Sequence, residues 1–171
     1  KSIETEAFKD CTNLTTITIG ANINNIGADA FKDTVNITRV NNLGKIENWP
    51  SIKFENEFSN PVGYSKNLFI DDKLVIDIVI PKSLKSIGEY VFYGFECIKS
   101  VHYLSTIEDY CNIEFAHEYS NPTWHNADLY INDAKQNKLT IPSTITKINK
   151  YAFYGAEISS LILPSELEEI S

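Results

Sequence analysis

The nine residues 23–31, INNIGADAF, carry the pattern that decides the fold of this chain. The pattern returns as LKSIGEYVF at residues 84–92 and as ITKINKYAF at residues 145–153. The final phenylalanine of each copy stands 61 residues from the next: Phe31, Phe92 and Phe153. Because equivalent side chains recur at one constant offset, we predict a repeat protein in which each unit stacks its apolar residues on those of the next.

The segments between these copies obey the same offset. The tripeptide SNP at residues 59–61 returns at 120–122, and LFIDD at residues 68–72 becomes LYIND at 129–133. Trp49 corresponds in the same way to Tyr110. A second spacing is shorter, because the Ala-Phe pair at residues 7–8 precedes the pair at residues 30–31 by 23 residues. Each 61-residue period is therefore predicted to join one short unit to one long unit of about 38 residues.

Alternating apolar residues predict a half-buried strand in every unit. In the first unit this strand is LTTITI at residues 14–19, and in the long units it lies at residues 77–80 and 138–141. We expect Ile17, Ile19, Ile26 and Phe31 to form core columns with their copies. Asp71-Asp72 and Asn132-Asp133 have the composition of hairpin turns. In the long units, residues 46–49 and 107–110 are predicted to replace the turn that carries the Ala-Phe pair.

The stretch AFKDCTNLTTITIG, residues 7–20, resembles the BspA-like (Treponema-type) leucine-rich repeats, whose consensus is close to IxxIGxxAFxxCxxLxxIxIP. The resemblance implies an α/β repeat solenoid, β-rich with short helical or 3-10 turns, coiled as a curved right-handed stack. Residues 1–171 are then one leucine-rich-repeat segment of about six units and the opening of another, and we expect it to be part of a longer array. It also implies a surface-exposed or secreted protein, since several relatives are implicated in adhesion.

Composition and charge disfavour several other classes of protein. The formal net charge of −8 repels phosphate backbones and anionic membrane surfaces, so nucleic acid is not expected as a partner. No apolar run approaches the roughly 20 residues needed to cross a bilayer, so no membrane insertion is expected in this segment. No basic and apolar leader of the signal-peptide type opens the chain.

Residues able to carry chemistry are sparse. The three cysteines fit neither a disulfide framework nor a metal site, and Cys11 and Cys97 are predicted to be small buried thiols. Nucleophile elbows and phosphate loops are missing, and the His117-Glu118 pair lacks the second histidine of a zinc-protease helix. His102 is interpreted as a solvated polar residue on a strand. We therefore expect no catalytic site, no metal site, no cofactor and no enzymatic activity.

Two surfaces are predicted as binding sites. The first is the strand face opposite the core, whose residues are Thr16, Thr18, Arg39, Asn41, Asp77, Ser100, His102, Lys138 and Thr140. The second is the set of aromatics beside the SNP copies, Tyr64, Tyr119 and Trp124. Both also have a plain structural interpretation, as a solvated sheet face and as loops held by the Asn60 and Asn121 side chains. The predicted function is binding of a host or microbial surface protein; a passive spacer and a carbohydrate-binding surface are the alternatives.

Overall fold

Two series of short strands build the molecule. The structure, a computed structural model, describes residues 1–170. The series of longer strands consists of β2 (Thr16–Ile19), β4 (Arg39–Asn42), β6 (Leu68–Ile70), β8 (Asp77–Ile80), β10 (Ser100–Tyr103), β12 (Asp128–Ile131), β14 (Lys138–Thr140) and β16 (Ser160–Ile162). The series of two-residue strands consists of β1 (Ser2–Ile3), β3 (Asn25–Ile26), β5 (Lys53–Phe54), β9 (Ser86–Ile87), β11 (Glu114–Phe115), β15 (Lys147–Ile148) and β17 (Glu169–Ile170).

The remaining elements are short returns and single helical turns. Two strands run back against their predecessors, β7 (Lys73–Leu74) and β13 (Ala134–Lys135). The α-helical turns are α1 (Val62–Ser65) and α2 (Ile107–Cys111), and 3-10 turns occupy Ile46–Ser51, Glu57–Ser59, Glu118–Ser120 and Pro122–His125. The chain is thus β-rich with short helical turns, as the resemblance implies.

Pairing between successive repeats is parallel. The longer strands form sheets of order β2-β4-β6-β7, β8-β10-β12-β13 and β14-β16. The two-residue strands form smaller sheets of order β1-β3-β5, β9-β11 and β15-β17. Both series are interrupted at corresponding places, because a hairpin return ends each of the first two larger sheets.

Period-two alternation sets which side chains enter the core. In β8, Ile78 and Ile80 are buried, whereas Asp77 is exposed. Pro81 follows this strand and lacks the N–H that further pairing would need. Each large aliphatic side chain withdrawn from water in this way contributes about 1.5–3 kcal/mol.

The three phenylalanines that define the period share one core. Phe31 and Phe92 are buried, and Phe153 packs half-buried against the same continuous cluster. Phe8 extends the series on one side, since its ring stacks on that of Phe31 with 5.5 Å between centroids. On the other side, the Phe153 ring lies 5.6 Å from that of Tyr110. The predicted stacking of these side chains is confirmed.

The interior of the long unit differs from the prediction. Asn25 pairs with Lys53, and Phe31 N donates to Phe58 O at 3.0 Å. The turn of residues 57–62, not residues 46–49, therefore takes the place of the turn that carries the Ala-Phe pair. The prediction was wrong because Ile46 and Trp49 have the same three-residue spacing as Ile23 and Ile26 in the short unit, so the sequence does not separate an inserted 3-10 turn from a replaced one.

The strand register also fixes where the 61-residue period divides. Asn25 pairs with Lys53 and Ser86 pairs with Glu114, an offset of 28 residues in both cases. This leaves 33 of the 61 residues for the other part of the period. The additional length is used by the hairpin between β6 and β8 and by its copy between β12 and β14.

The predicted hairpin turns are confirmed. Phe69 pairs with Leu74 across the first turn, and Tyr130 pairs with Lys135 across the second. Asp71 and Asp72 have φ of 49° and 59°, and the equivalent Asn132 and Asp133 have φ of 48° and 62°. Two consecutive residues with positive φ are what a two-residue hairpin of the right twist requires, and Asp and Asn tolerate that conformation best after glycine.

Side chains of the outermost repeats are more exposed than predicted. Cys11 is exposed and not buried, and Cys97 is half-buried with its thiol donating to Asn67 Oδ1 at 3.3 Å. Leu161, a predicted strand residue of the core type, is 53% exposed. The physical reason is shared: within residues 1–170 the repeats that carry Cys11 and Leu161 have a neighbouring repeat on one side only.

Candidate functional site

The outward side chains of the longer strands form one surface, here called the strand face. Among the residues predicted for it, those on the solvent side are exposed: Thr16, Thr18, Asp77, Lys138 and Thr140. Arg39, Asn41 and His102 are half-buried. Ser100 is only 9% exposed, so its prediction as an open surface residue is wrong. Its hydroxyl is covered because it lies between Asp77 and His102, to which it is hydrogen-bonded.

Strand register arranges these residues in rows across the face. One row runs from Thr18 to Asn41 to Phe69. A second row runs from Val79 to His102 to Tyr130. The two rows are copies of each other at the 61-residue offset, so each ends in an aromatic ring at the position just before a hairpin turn.

In the first row Phe69 is held by a guanidinium group. The Arg39 guanidinium carbon lies 4.0 Å from the centroid of the Phe69 ring. Arg39 Nε donates to Asn41 Oδ1 at 2.8 Å, and Arg39 Nη2 is 2.7 Å from Asp72 Oδ1. A planar cation over a ring face is attracted by the ring quadrupole, and its remaining donors are here directed at fixed acceptors. The Phe69 ring is therefore fixed in orientation on the surface.

In the second row Tyr130 is held by an imidazole ring. The rings of His102 and Tyr130 are stacked, with 4.7 Å between centroids and 9° between planes. His102 Nε2 lies 2.9 Å from Ser100 Oγ, which in turn donates to Asp77 Oδ1 at 2.5 Å. His102 is thus a half-buried member of a polar chain, whereas the sequence was interpreted as placing it in solvent.

Phe69 and Tyr130 were not predicted for the strand face. Both lie in the LFI and LYI segments, which were interpreted only as hairpin strands. The alternation in these segments carried the necessary signal, because the flanking Leu68 and Leu129 are buried and the aromatic between two core residues must point outward. What the sequence did not reveal is that β6 and β12 pair with β4 and β10, and so extend the same face.

The predicted loop aromatics are half-buried, and only two of them meet. The rings of Tyr119 and Trp124 contact edge to face, with 4.9 Å between centroids. Trp124 also packs on His125 at 3.8 Å. Tyr64 belongs to the preceding period, where its hydroxyl accepts from Asp33 N at 3.2 Å, and burial raises its pKa. These contacts give Tyr64 a structural role in tying its loop to the neighbouring repeat.

The asparagines of the SNP copies fasten successive repeats together. Asn60 Nδ2 donates to Tyr90 O at 2.8 Å and to Val91 O at 3.1 Å, while its Oδ1 accepts from Val62 N. Asn121 repeats this arrangement with Tyr151 O at 2.9 Å and with Ala152 O at 2.7 Å. Both side chains are fully buried, so the expected bonding to loop backbone is confirmed.

Trp49 and Tyr110 fill the corresponding interior position in the two periods. Both are fully buried, and Trp49 Nε1 donates to Val91 O at 2.9 Å. The Tyr110 hydroxyl accepts from Asn121 Nδ2 at 3.4 Å, and burial raises the pKa of this phenol well above its ordinary value. Burial also raises the pKa of the adjacent Cys111 thiol to about 12, so the group stays protonated at neutral pH.

Two further searches of residues 1–170 concern metals and membranes. No group of three or more His, Cys, Asp and Glu side chains is arranged to hold a metal ion within that range. None of the described helices has the length and apolar character needed to span a bilayer.

The chain was then compared with known proteins. A family model described as BspA type leucine rich repeat region matches it in six copies, over residues 1–61, 63–122 and 126–171. Neither the curated proteins nor the solved structures gave a match. The strand face, with the rings of Phe69 and Tyr130 fixed on it, is the surface best formed to contact another molecule.

Proposed function

This chain belongs to the BspA-type leucine-rich repeat family, and we propose that it is a non-enzymatic module that binds another protein through its strand face. The family supports a role in protein interaction. We extend it to a curved right-handed solenoid that serves in adhesion on a surface-exposed or secreted protein, as the resemblance implies. Parallel stacking of successive repeats supports the solenoid, since each repeat pairs with the one before it.

The observation that carries the proposal is the pair of immobilised aromatic rings. Large rings that are already held in one orientation lose little conformational freedom on binding, and such residues dominate the energetics of protein interfaces. Phe69 is held by Arg39, and Tyr130 is held by His102. Their surroundings combine small polar residues with half-exposed apolar ones, the mixture found at the centre and rim of non-obligate interfaces.

The polar chain on the face supports a binding role over a catalytic one. A histidine that activates a serine must accept the serine proton. Here the Ser100 hydroxyl donates its only proton to Asp77, so His102 Nε2 acts as the donor to Ser100. The order of the three groups is therefore the reverse of the relay that a serine nucleophile needs.

A glycan-binding role would use the other aromatic pair. Tyr119 and Trp124 lie on the outer side of the second period, and stacking of a sugar needs an open ring face. Both are half-buried and contact each other edge to face. We therefore place this alternative second, and the spacer alternative, in which neither surface has a ligand, is an outcome of the experiment below.

Site-specific photo-crosslinking tests the proposal. A benzoylphenylalanine placed at residue 69 or 130 should capture a protein partner in the native surroundings of the full-length protein. The captured protein is then purified, and its affinity for the chain is measured directly. Phe69→Ala and Tyr130→Ala should each weaken that affinity by about tenfold or more, the loss of at least about 1.4 kcal/mol expected for an anchoring aromatic.

A crosslinker at Thr144, exposed and outside the longer strands, is the matched control. Capture at position 144 with the same yield, or unchanged affinity of both alanine variants for the purified partner, would contradict a role of the strand face. Loss of affinity on Trp124→Ala alone would move the site to the loop aromatics. No partner captured at any of these positions would favour the spacer.

A further inference from the structure

A cleft opens on the side of the two-residue strands, where β5 and β9 face each other without pairing. The cavity has a volume of about 530 Å³, within the range of roughly 300–1,000 Å³ typical of ligand sites. Its walls consist of Lys53, Phe54, Glu55, Gly88, Glu89, Tyr90 and Ala116. This cleft, here called the β5–β9 cleft, lies outside the strand face.

Both edges of the cleft present unused backbone groups. On the β5 side, Lys53 N and Glu55 N donate to the carbonyls of β3 and its flank, so the N–H and C=O of Phe54 point away from β3 into the cleft. On the β9 side, Ile87 bonds to β11, which leaves the N–H of Gly88 directed at the cleft. Such groups need partners from water or from another chain, and an open strand edge is a template for a further strand.

The equivalent cleft in the next period is closed, which identifies the residue that controls access. Residue 88 corresponds to residue 149 at the 61-residue offset. Asn149 N donates to Cys111 O at 3.0 Å, and Asn149 Nδ2 donates to Ile113 O at 3.4 Å, so this residue bridges the two walls. The remaining cavity there has about 230 Å³.

Gly88 makes neither bridge. It has no side chain for the second bond, and no backbone bond joins residue 88 to residue 50 within the described range 1–170. A Cβ at this position would meet only the Val91 Cγ2 methyl, at 3.7 Å. The glycine is therefore not required by crowding, and its effect is to leave the β5–β9 cleft open.

The charge of the walls indicates the kind of chain that fits. Lys53 is paired with Glu55 at 3.5 Å, whereas the Glu89 carboxylate has no cationic partner within residues 1–170. The whole chain carries a formal charge of −8. We propose that the β5–β9 cleft binds a basic, extended peptide segment of a partner protein, which adds as a strand between Phe54 and Gly88 with a lysine or arginine beside Glu89.

Amide chemical shifts of the uniformly ¹⁵N-labelled chain test this with a defined probe. The probe is the peptide acetyl-Thr-Lys-Val-Lys-Thr-amide, and its acidic counterpart carries Glu in place of both Lys. The basic peptide should shift the amides of Phe54 and Gly88 more than those of Asn41 or His102, with at least about tenfold tighter binding than the acidic peptide. N-methylation of the central valine, which removes a backbone donor, should abolish the shifts.

Exchange of residues between the two clefts provides the matched variants. Gly88→Asn should weaken binding by about tenfold or more, and Asn149→Gly should create a second site with shifts around Phe115. Undiminished binding by Gly88→Asn, equal binding of the acidic or N-methylated peptide, or shifts confined to the strand face would overturn the proposal. Because Asn149→Gly adds a site to an otherwise unchanged chain, its result stands even where Gly88→Asn folds poorly.

Discussion

The two long periods, residues 16–76 and 77–137, share an interior and differ on their surfaces. The interior position of Trp49 is filled by Tyr110 in the second copy, and Asn60 and Asn121 make the same bonds to the next repeat. On the strand face, however, an arginine over a phenylalanine is replaced by a histidine stacked on a tyrosine. Stacking constrains only the side chains that touch two neighbouring repeats, so the outward ones are free to acquire different partners.

The largest expected effect is loss of the buried asparagine in either period. Asn60→Ala and Asn121→Ala should each reduce the free energy of unfolding by about 3 kcal/mol or more, because each leaves two carbonyls and one N–H buried with fewer partners. Urea titration followed by circular dichroism measures this. Asn48→Ala, at an exposed residue, should change it by less than about 0.5 kcal/mol. A cost below about 1 kcal/mol in one period would show that the two interiors are not equivalent.

An intermediate effect concerns a titrating group present in one period only. Cys111 occupies the place of Pro50, and burial raises its pKa from 9.0 to about 12. Between these pH values the unfolded thiol loses its proton and the folded one keeps it, so stability falls as pH rises, by up to about 1.4 kcal/mol per unit. Below pH 9 the group adds no pH dependence.

The measurement is the difference in the pH dependence of unfolding between the wild-type chain and Cys111→Ala. The variant should lose less stability than the wild type between about pH 9 and pH 12. Cys11→Ala is the control, because Cys11 is exposed and its removal should leave the dependence unchanged. Identical slopes for all three proteins would mean that the Cys111 thiol ionises as readily in the fold as in the unfolded chain.

Sequence alone predicted those features that depend on contacts between copies. The offset located the phenylalanine stack, the strands and both hairpin turns, since each is fixed by a residue type that only one conformation suits, such as Asp or Asn at positive φ. It failed at residues 46–49, where apolar residues three apart fit an inserted turn as well as a replaced one. Local spacing does not determine which strand a segment pairs with.

The same limit explains the incomplete prediction of the strand face. Arg39, Asn41 and His102 were found by alternation within one strand, whereas Phe69 and Tyr130 join the face only through the pairing of β6 with β4 and of β12 with β10. The open β5–β9 cleft was not predicted either. A glycine in place of an asparagine indicates a missing side chain, but only the register shows that the side chain would have bridged two walls.

The smallest expected effect separates the two hairpin turns. Asp72 Oδ1 lies 2.7 Å from Arg39 Nη2, but the Asp72 side chain is 95% exposed, so solvent screens most of the attraction. Asp72→Asn should cost about 0.5 kcal/mol or less, and Asp133→Asn should cost nothing measurable, because Ser100 stands where Arg39 does and offers Asp133 no cation. Asparagine keeps the positive φ of both turns, which confines the change to charge. Urea titrations at low and at high salt check this: the difference between the two variants should vanish at about 1 M salt, and a difference that persists there would mean that Asp72 stabilises the turn by something other than its charge.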